Sequence, residues 1–121
     1  MADGMKLYID SRDELRVIEL DHVVYLQASG NYTDFHDAHG QVVSELSCLS
    51  AFEKQIAASY AESVSPFLRT GRSHLINTNY VSSINLQRET VRFSTGEMLH
   101  LSKQRLKLLK EYMIALHRSH H

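Results

Sequence analysis

The chain has 121 residues, 43% of them hydrophobic, and a net charge of −1, which allows one globular domain with one core but not two. Its single cysteine, Cys48, excludes an internal disulfide, suits a reducing compartment, and reads as a small buried hydrophobe. No apolar run approaches the ~20 residues of a membrane span, and the N-terminal MADGMKLYID has no apolar signal-peptide core, so the expected location is the cytoplasm and no membrane partner is expected.

In chain order, short strands dominate. Met5–Ile9 and Arg16–Leu20 are candidate strands, and His22–Ala28 is rich in β-branched and aromatic residues. Tyr32–Asp37 and Gln41–Leu46 flank His39-Gly40, where glycine permits the positive φ of a tight hairpin. Leu49 to about Ser59 has helical periodicity. It sets Leu49, Phe52, Ile56 and Ala57 on one face, with Ser47 or Ser50 as the cap. After Pro66 come the strands Phe67–Arg69, His74–Asn77 and Tyr80–Leu86. Thr90–Ser94 and Glu97–Leu101 then flank Thr95-Gly96 as a second hairpin. A final helix runs from Lys103 to about His117, with Ser102 as N-cap and an apolar stripe of Leu106, Leu109, Met113 and Leu116.

The small net charge conceals an asymmetry. Residues 1–66 carry −7 and residues 67–121 carry +6, so an electrostatic footprint is expected in the second half. Lys103, Arg105, Lys107 and Lys110 make the start of the last helix positive, against the helix dipole, which points to a use outside the helix. The segment FLRTGRSHLIN places two arginines and a glycine on a tight turn with no acidic residue beside them in sequence. The bland reading is solubility. The sharper reading is that the turn holds a polyanion.

Catalytic patterns are missing. There is no GxSxG, GxxxxGK, GxGxxG or HExxH, and Ser73-His74 are strand neighbours facing opposite ways. His36-x-x-His39 and His117-x-x-His120 lack further ligands that would close a metal site, and read as solvated histidines. Neither an enzyme nor a bound cofactor is expected.

Three segments together carry a family resemblance. VVYLQASGNYTDFHDAHGQ, FLRTGRSHLINTNYVSSI and TVRFSTGEMLHLSKQRLKLL resemble the LytTR family of bacterial DNA-binding domains. Gly30-Asn31-Tyr32-Thr33 matches the family's first motif. Phe67, Arg69, Arg72, Ser73 and Asn77 match the second, and Ser102-Lys103 stands at the third. The resemblance is strongest over residues 15–109 of a single domain spanning 1–121. It implies a mainly β fold: an elongated domain of small antiparallel sheets, one short internal helix and a C-terminal helix. It also implies that loops, rather than a recognition helix, enter successive major grooves of double-stranded DNA. It further implies a role in transcription regulation, such as the output domain of a two-component response regulator.

By motif position the DNA-binding residues are Asn31, Thr33, Arg69, Arg72, Ser73, Ser102, Lys103, Gln104 and Arg105. Arg72 can fork to guanine or to a phosphate, Gln104 can pair with adenine, and Asn31 and Thr33 are short enough to touch base edges. Ser73 can bond a phosphate. Ser102, with free N–H groups of the first helical turn, forms an anion site to which Lys103 and Arg105 add attraction. Other readings stand beside these. Arg69 is a DNA contact or a structural ion-pair partner, Asn31 a base contact or a turn former. Asn77 reads as a turn former and Tyr32 as core. Two departures from the family pattern stand out: Gly71 occupies the place of a usual histidine, losing a donor and loosening the loop, and lysine at 103 replaces arginine, losing the fork.

Most relatives carry a receiver or other sensory domain before this part. Here about fourteen residues precede the resemblance, which fits a stand-alone factor or an excised output domain. A sensor kinase or receiver domain upstream and a homodimer on promoter repeats are further expected partners. The second function class is a protein-interaction module that pairs with a related regulator and modulates it.

Overall fold

The computed structural model describes residues 5–119. Ten strands and two α-helices follow one another as the hydrophobic periodicity predicts, with ends shifted by a residue or so. β1 (Lys6–Asp10) and β2 (Leu15–Glu19) form a separate ribbon. β3 (Val23–Ser29), β4 (Tyr32–Asp37), β5 (Val42–Leu46), β6 (Phe67–Thr70) and β7 (His74–Asn77) form a five-stranded sheet in the order β5-β4-β3-β7-β6. β8 (Val81–Asn85), β9 (Thr90–Phe93) and β10 (Met98–His100) form a third sheet, and all the pairings are antiparallel. α1 spans Leu49–Ser59 and α2 spans Lys103–Ser119. The hairpin glycines, Gly40 (φ 82°) and Gly96 (φ 96°), adopt the left-handed conformation expected of them.

The central sheet is covered on both faces. That is why β3 buries four residues in succession, Val23 to Leu26, where a half-buried strand would alternate. Leu26, Phe35 and Leu75 meet Phe52 and Ile56 of α1, together with Leu7 of the ribbon. On the other face Val24, Tyr25 and Ile76 meet Val91 and Phe93 of the third sheet and Leu106 and Leu109 of α2. A register shift between Val23 and Tyr25 lets consecutive residues Val24 and Tyr25 serve the same core.

Two short 3-10 turns, Leu20–His22 and Thr78–Tyr80, were not legible in the periodicity. The second is built by Asn77, which is buried: its Nδ2 donates to the Val23 carbonyl at 2.8 Å and its Oδ1 accepts from the Asn79 N–H at 3.0 Å. Asn77 is therefore the turn former that the sequence suggests. Two expectations fail. Cys48 is exposed and is itself the N-cap of α1, with no side-chain cap bond, so neither Ser47 nor Ser50 caps this helix. Tyr32 is 48% exposed, because β4 turns Thr33 and Phe35 to the core and hence Tyr32 to the outside. Among the described residues no helix is long and apolar enough to cross a membrane.

Candidate nucleic-acid interface

Antiparallel pairing brings distant segments to one end of the central sheet. The β3–β4 turn at Gly30-Asn31 and the β6–β7 turn at 71–73 both lie there, because β7 begins beside the end of β3: His74 pairs with Gln27, and the Ala28 N–H donates to the Ser73 carbonyl at 2.8 Å. The start of α2 joins them through Arg105, whose guanidinium lies over Gly71. α2 then runs towards the opposite end, where the Tyr112 hydroxyl donates to the Ser65 carbonyl at 2.9 Å. A cleft of about 470 Å³ between Tyr60, Pro66 and Met113 opens at that far end, away from the turns.

The β6–β7 turn is held from inside. Arg69 Nε donates to the Gly71 carbonyl at 2.7 Å and Nη2 to the Arg72 carbonyl at 3.0 Å. Its Nη1 reaches Glu53 at 2.8 Å and the Ser50 hydroxyl at 3.3 Å, both on α1. Arg69 thus resolves as the structural ion-pair partner, with its donors spent within the fold. The acid it pairs with sits sixteen residues back, out of sight of a local reading. With both carbonyls drawn inward, Arg72 is left exposed at the tip, and its side chain bonds to no described residue. The arginines of this one turn divide into a clamp and a free fork.

Thr33 leaves the candidate set. It is fully buried and its hydroxyl donates to the Ser47 carbonyl at 2.9 Å, so it ties β4 to the entry of α1. Phe35 two residues on marks the same face as core, a parity signal visible in the sequence. Asn31 is exposed with its amide uncommitted among the described residues, and Ser73 is half-buried.

At the start of α2, Ser102, Lys103, Gln104 and Arg105 are all exposed. Ser102 does cap, accepting from the Arg105 N–H at 3.4 Å. The first N–H is not free, however: Lys103 N donates to a Glu89 carboxylate oxygen at 3.1 Å. Glu89 stands in the β8–β9 turn with φ 55°, the only left-handed residue besides glycine among those described, and its carbonyl also accepts from Leu101 N at 3.1 Å. The expected anion site at this helix end is therefore partly filled by the chain's own carboxylate, a residue that sequence reasoning missed.

Behind the turns lies an aromatic stack. Tyr25 stacks on His36 at 4.2 Å and on Phe93 at 5.5 Å, and its hydroxyl donates to Glu97 at 2.7 Å. Burial first, then the Glu97 carboxylate, pushes the phenol above its ordinary range. His36 Nε2 and His74 Nδ1 are buried without partners. Burial holds both imidazoles below their usual pKa, and Arg105 adds to the effect at His74. His36 is thus no solvated histidine, while His120 lies outside the described residues. Among the described residues no three ligating side chains converge on a metal position.

With this geometry in hand, comparison decides the family. A family model described as the LytTr DNA-binding domain matches residues 13–114. The chain belongs to the LytTR family. It is thereby a DNA-binding domain with DNA as its partner, of a family defined by binding and not by catalysis. Among solved structures, the LytTR chain is similar to the LytTr DNA-binding domain of a protein described as a methyl-accepting/DNA response regulator from Bacillus cereus. The TM-score is 0.65 at 18% identity, over 92% of this chain and 98% of that one. At that identity the likeness speaks for the fold, the mainly β arrangement of small antiparallel sheets described above. No curated protein matches the sequence.

Proposed function

We propose that this LytTR domain binds double-stranded DNA sequence-specifically, setting its loops into successive major grooves and acting as a bacterial transcription regulator, alone or as the output domain of a response regulator. The observation that carries this reading is the gathering, at one end of the central sheet, of exposed polar side chains that make no hydrogen bond or ion pair among the described residues. They are Asn31, Arg72, Lys103, Gln104 and Arg105, and they come from three separate elements. Unspent donors and amides on rigid turns are what base-edge and phosphate recognition needs. Arg69, Glu53 and Ser50 hold the scaffold, and Ser73 and Ser102 stand beside the contacts.

Glu89 favours a second reading. A carboxylate seated on the first N–H of α2 sets an acid beside Lys103, as a module that pairs with another regulator could use. Selection of binding sites from random duplex DNA, followed by fluorescence anisotropy at several salt concentrations, separates the two. A DNA reader shows a steep log–log dependence on salt, and neutralising any one phosphate-contacting lysine or arginine lowers the slope by about 1. A slope near zero supports the protein-partner reading.

A further inference from the structure

We propose that Gly71 and Arg105 form one specificity determinant: the missing side chain at 71 opens a slot in the β6–β7 turn, and the Arg105 guanidinium lies in that slot and reads a guanine edge beside Arg72. The proposal rests on the DNA-binding reading above.

The slot is a matter of volume. If Gly71 carried a β-carbon, Arg105 Nη2 would lie 2.9 Å from it, with Nε and Cζ nearer still, so a side chain at 71 and this placement of Arg105 exclude each other. The backbone agrees, since Gly71 has φ 83°, where other residues are strained. The turn cannot slide aside to make room. Arg69 grips the Gly71 and Arg72 carbonyls from the core side and is itself anchored on Glu53. Any collision is therefore taken up by Arg105.

Arg105 has no internal task to justify its position. Its side chain makes no hydrogen bond or ion pair among the described residues, and it stands in the first helical turn, where the dipole opposes a cation. Across Gly71 stands a second uncommitted guanidinium, Arg72. Two guanidinium groups on one turn, Arg72 from the turn itself and Arg105 lying over it, with no counterion among the described residues, suit an external acceptor, and the fork of an arginine matches O6 and N7 of guanine in the major groove. Burial, and then the nearness of Arg105, hold the His74 imidazole below its usual pKa, which disfavours a third positive charge there.

The test is a double-mutant cycle on DNA affinity. The variants are Gly71→Asn, chosen because asparagine tolerates the left-handed backbone, Arg105→Ala, the pair together, and Arg105→Lys. Binding is measured by anisotropy on the site selected by the wild type and on its single-base variants. Each of the first two changes is expected to lose about ten-fold and to relax preference at the same base pair. The double variant is expected to lose about ten-fold rather than a hundred-fold, because the two act through one contact. Arg105→Lys is expected to lose as much as alanine. Multiplicative losses, uniform weakening across all sequences (a phosphate contact only), or wild-type affinity with lysine would each overturn the proposal while leaving the DNA reading intact. A wild type that binds no duplex would end both. If Gly71→Asn fails to fold by circular dichroism, the comparison of alanine with lysine at 105 and its base-pair readout decide.

Discussion

Replacing Arg69 and Arg72 separately with alanine should split stability from binding. Arg69 donates to two turn carbonyls and to Glu53, with a side chain only 25% exposed. The carbonyls can rehydrate at the surface, so each lost bond costs about 1 kcal/mol. The ion pair adds about 0.5 kcal/mol, discounted because Glu53 is 41% exposed. The sum for Arg69→Ala is about 2–3 kcal/mol. For a 121-residue domain the unfolding entropy is about 0.25 kcal/mol per degree, so the melting temperature should fall by about 10 °C. Arg72→Ala removes a side chain with no partner among the described residues, so stability should change by less than about 0.5 kcal/mol. Specific DNA binding should meanwhile weaken by about 1–3 kcal/mol. Differential scanning fluorimetry and anisotropy on a selected site measure the two effects. An Arg69→Ala melt within 2 °C or so of wild type, or unchanged DNA affinity for Arg72→Ala, would refute the division into clamp and fork.

Three further outcomes are expected. Asn77→Ala strands the buried Val23 carbonyl and the Asn79 N–H, and should cost about 2–3 kcal/mol in a denaturant melt. Stability should fall on acidification: His36 and His74 have depressed folded pKa values, so the unfolded chain takes up protons first, and the loss begins below about pH 6.5 and continues down to the folded values. Melts of His36→Gln with His74→Asn from pH 8 to 5 should be flatter than wild type. In sedimentation the free protein should be monomeric, since Leu106 and Leu109 are covered by their own domain. It should pair on DNA with two half-sites. A stable dimer without DNA contradicts the first claim, and independent filling of the two sites contradicts the second.

Much of the fold could be read from periodicity and two hairpin glycines, because strand alternation and turn chemistry are local. The site was harder. Arg72, Gln104 and Asn31 stand exposed, since their motif positions fall in turns and at a helix start. The partnership of Arg69 with Glu53 depends on α1 crossing behind the turn, and no local pattern encodes it. Thr33 was misassigned although its parity with Phe35 held the answer, and the same parity turns Tyr32 outward. Gly71 looked like a lost donor and a loosened loop. The space is taken by a side chain thirty-four positions later in sequence, and Arg69 ties the turn from below. Glu89 gave no local signal: its left-handed backbone, its carbonyl and its carboxylate together tie the β8–β9 turn to the β10–α2 junction.

Backbone amide NMR shifts on titration with the selected duplex reveal whether one end of the central sheet carries the DNA surface. The largest changes are expected at Gly30–Asn31, Gly71–Ser73 and Ser102–Arg105, with the far cleft near Tyr60, Pro66 and Met113 unmoved. Changes centred on that cleft, or on the exposed face of the ribbon at Tyr8 and Val17, would contradict that placement of the DNA surface.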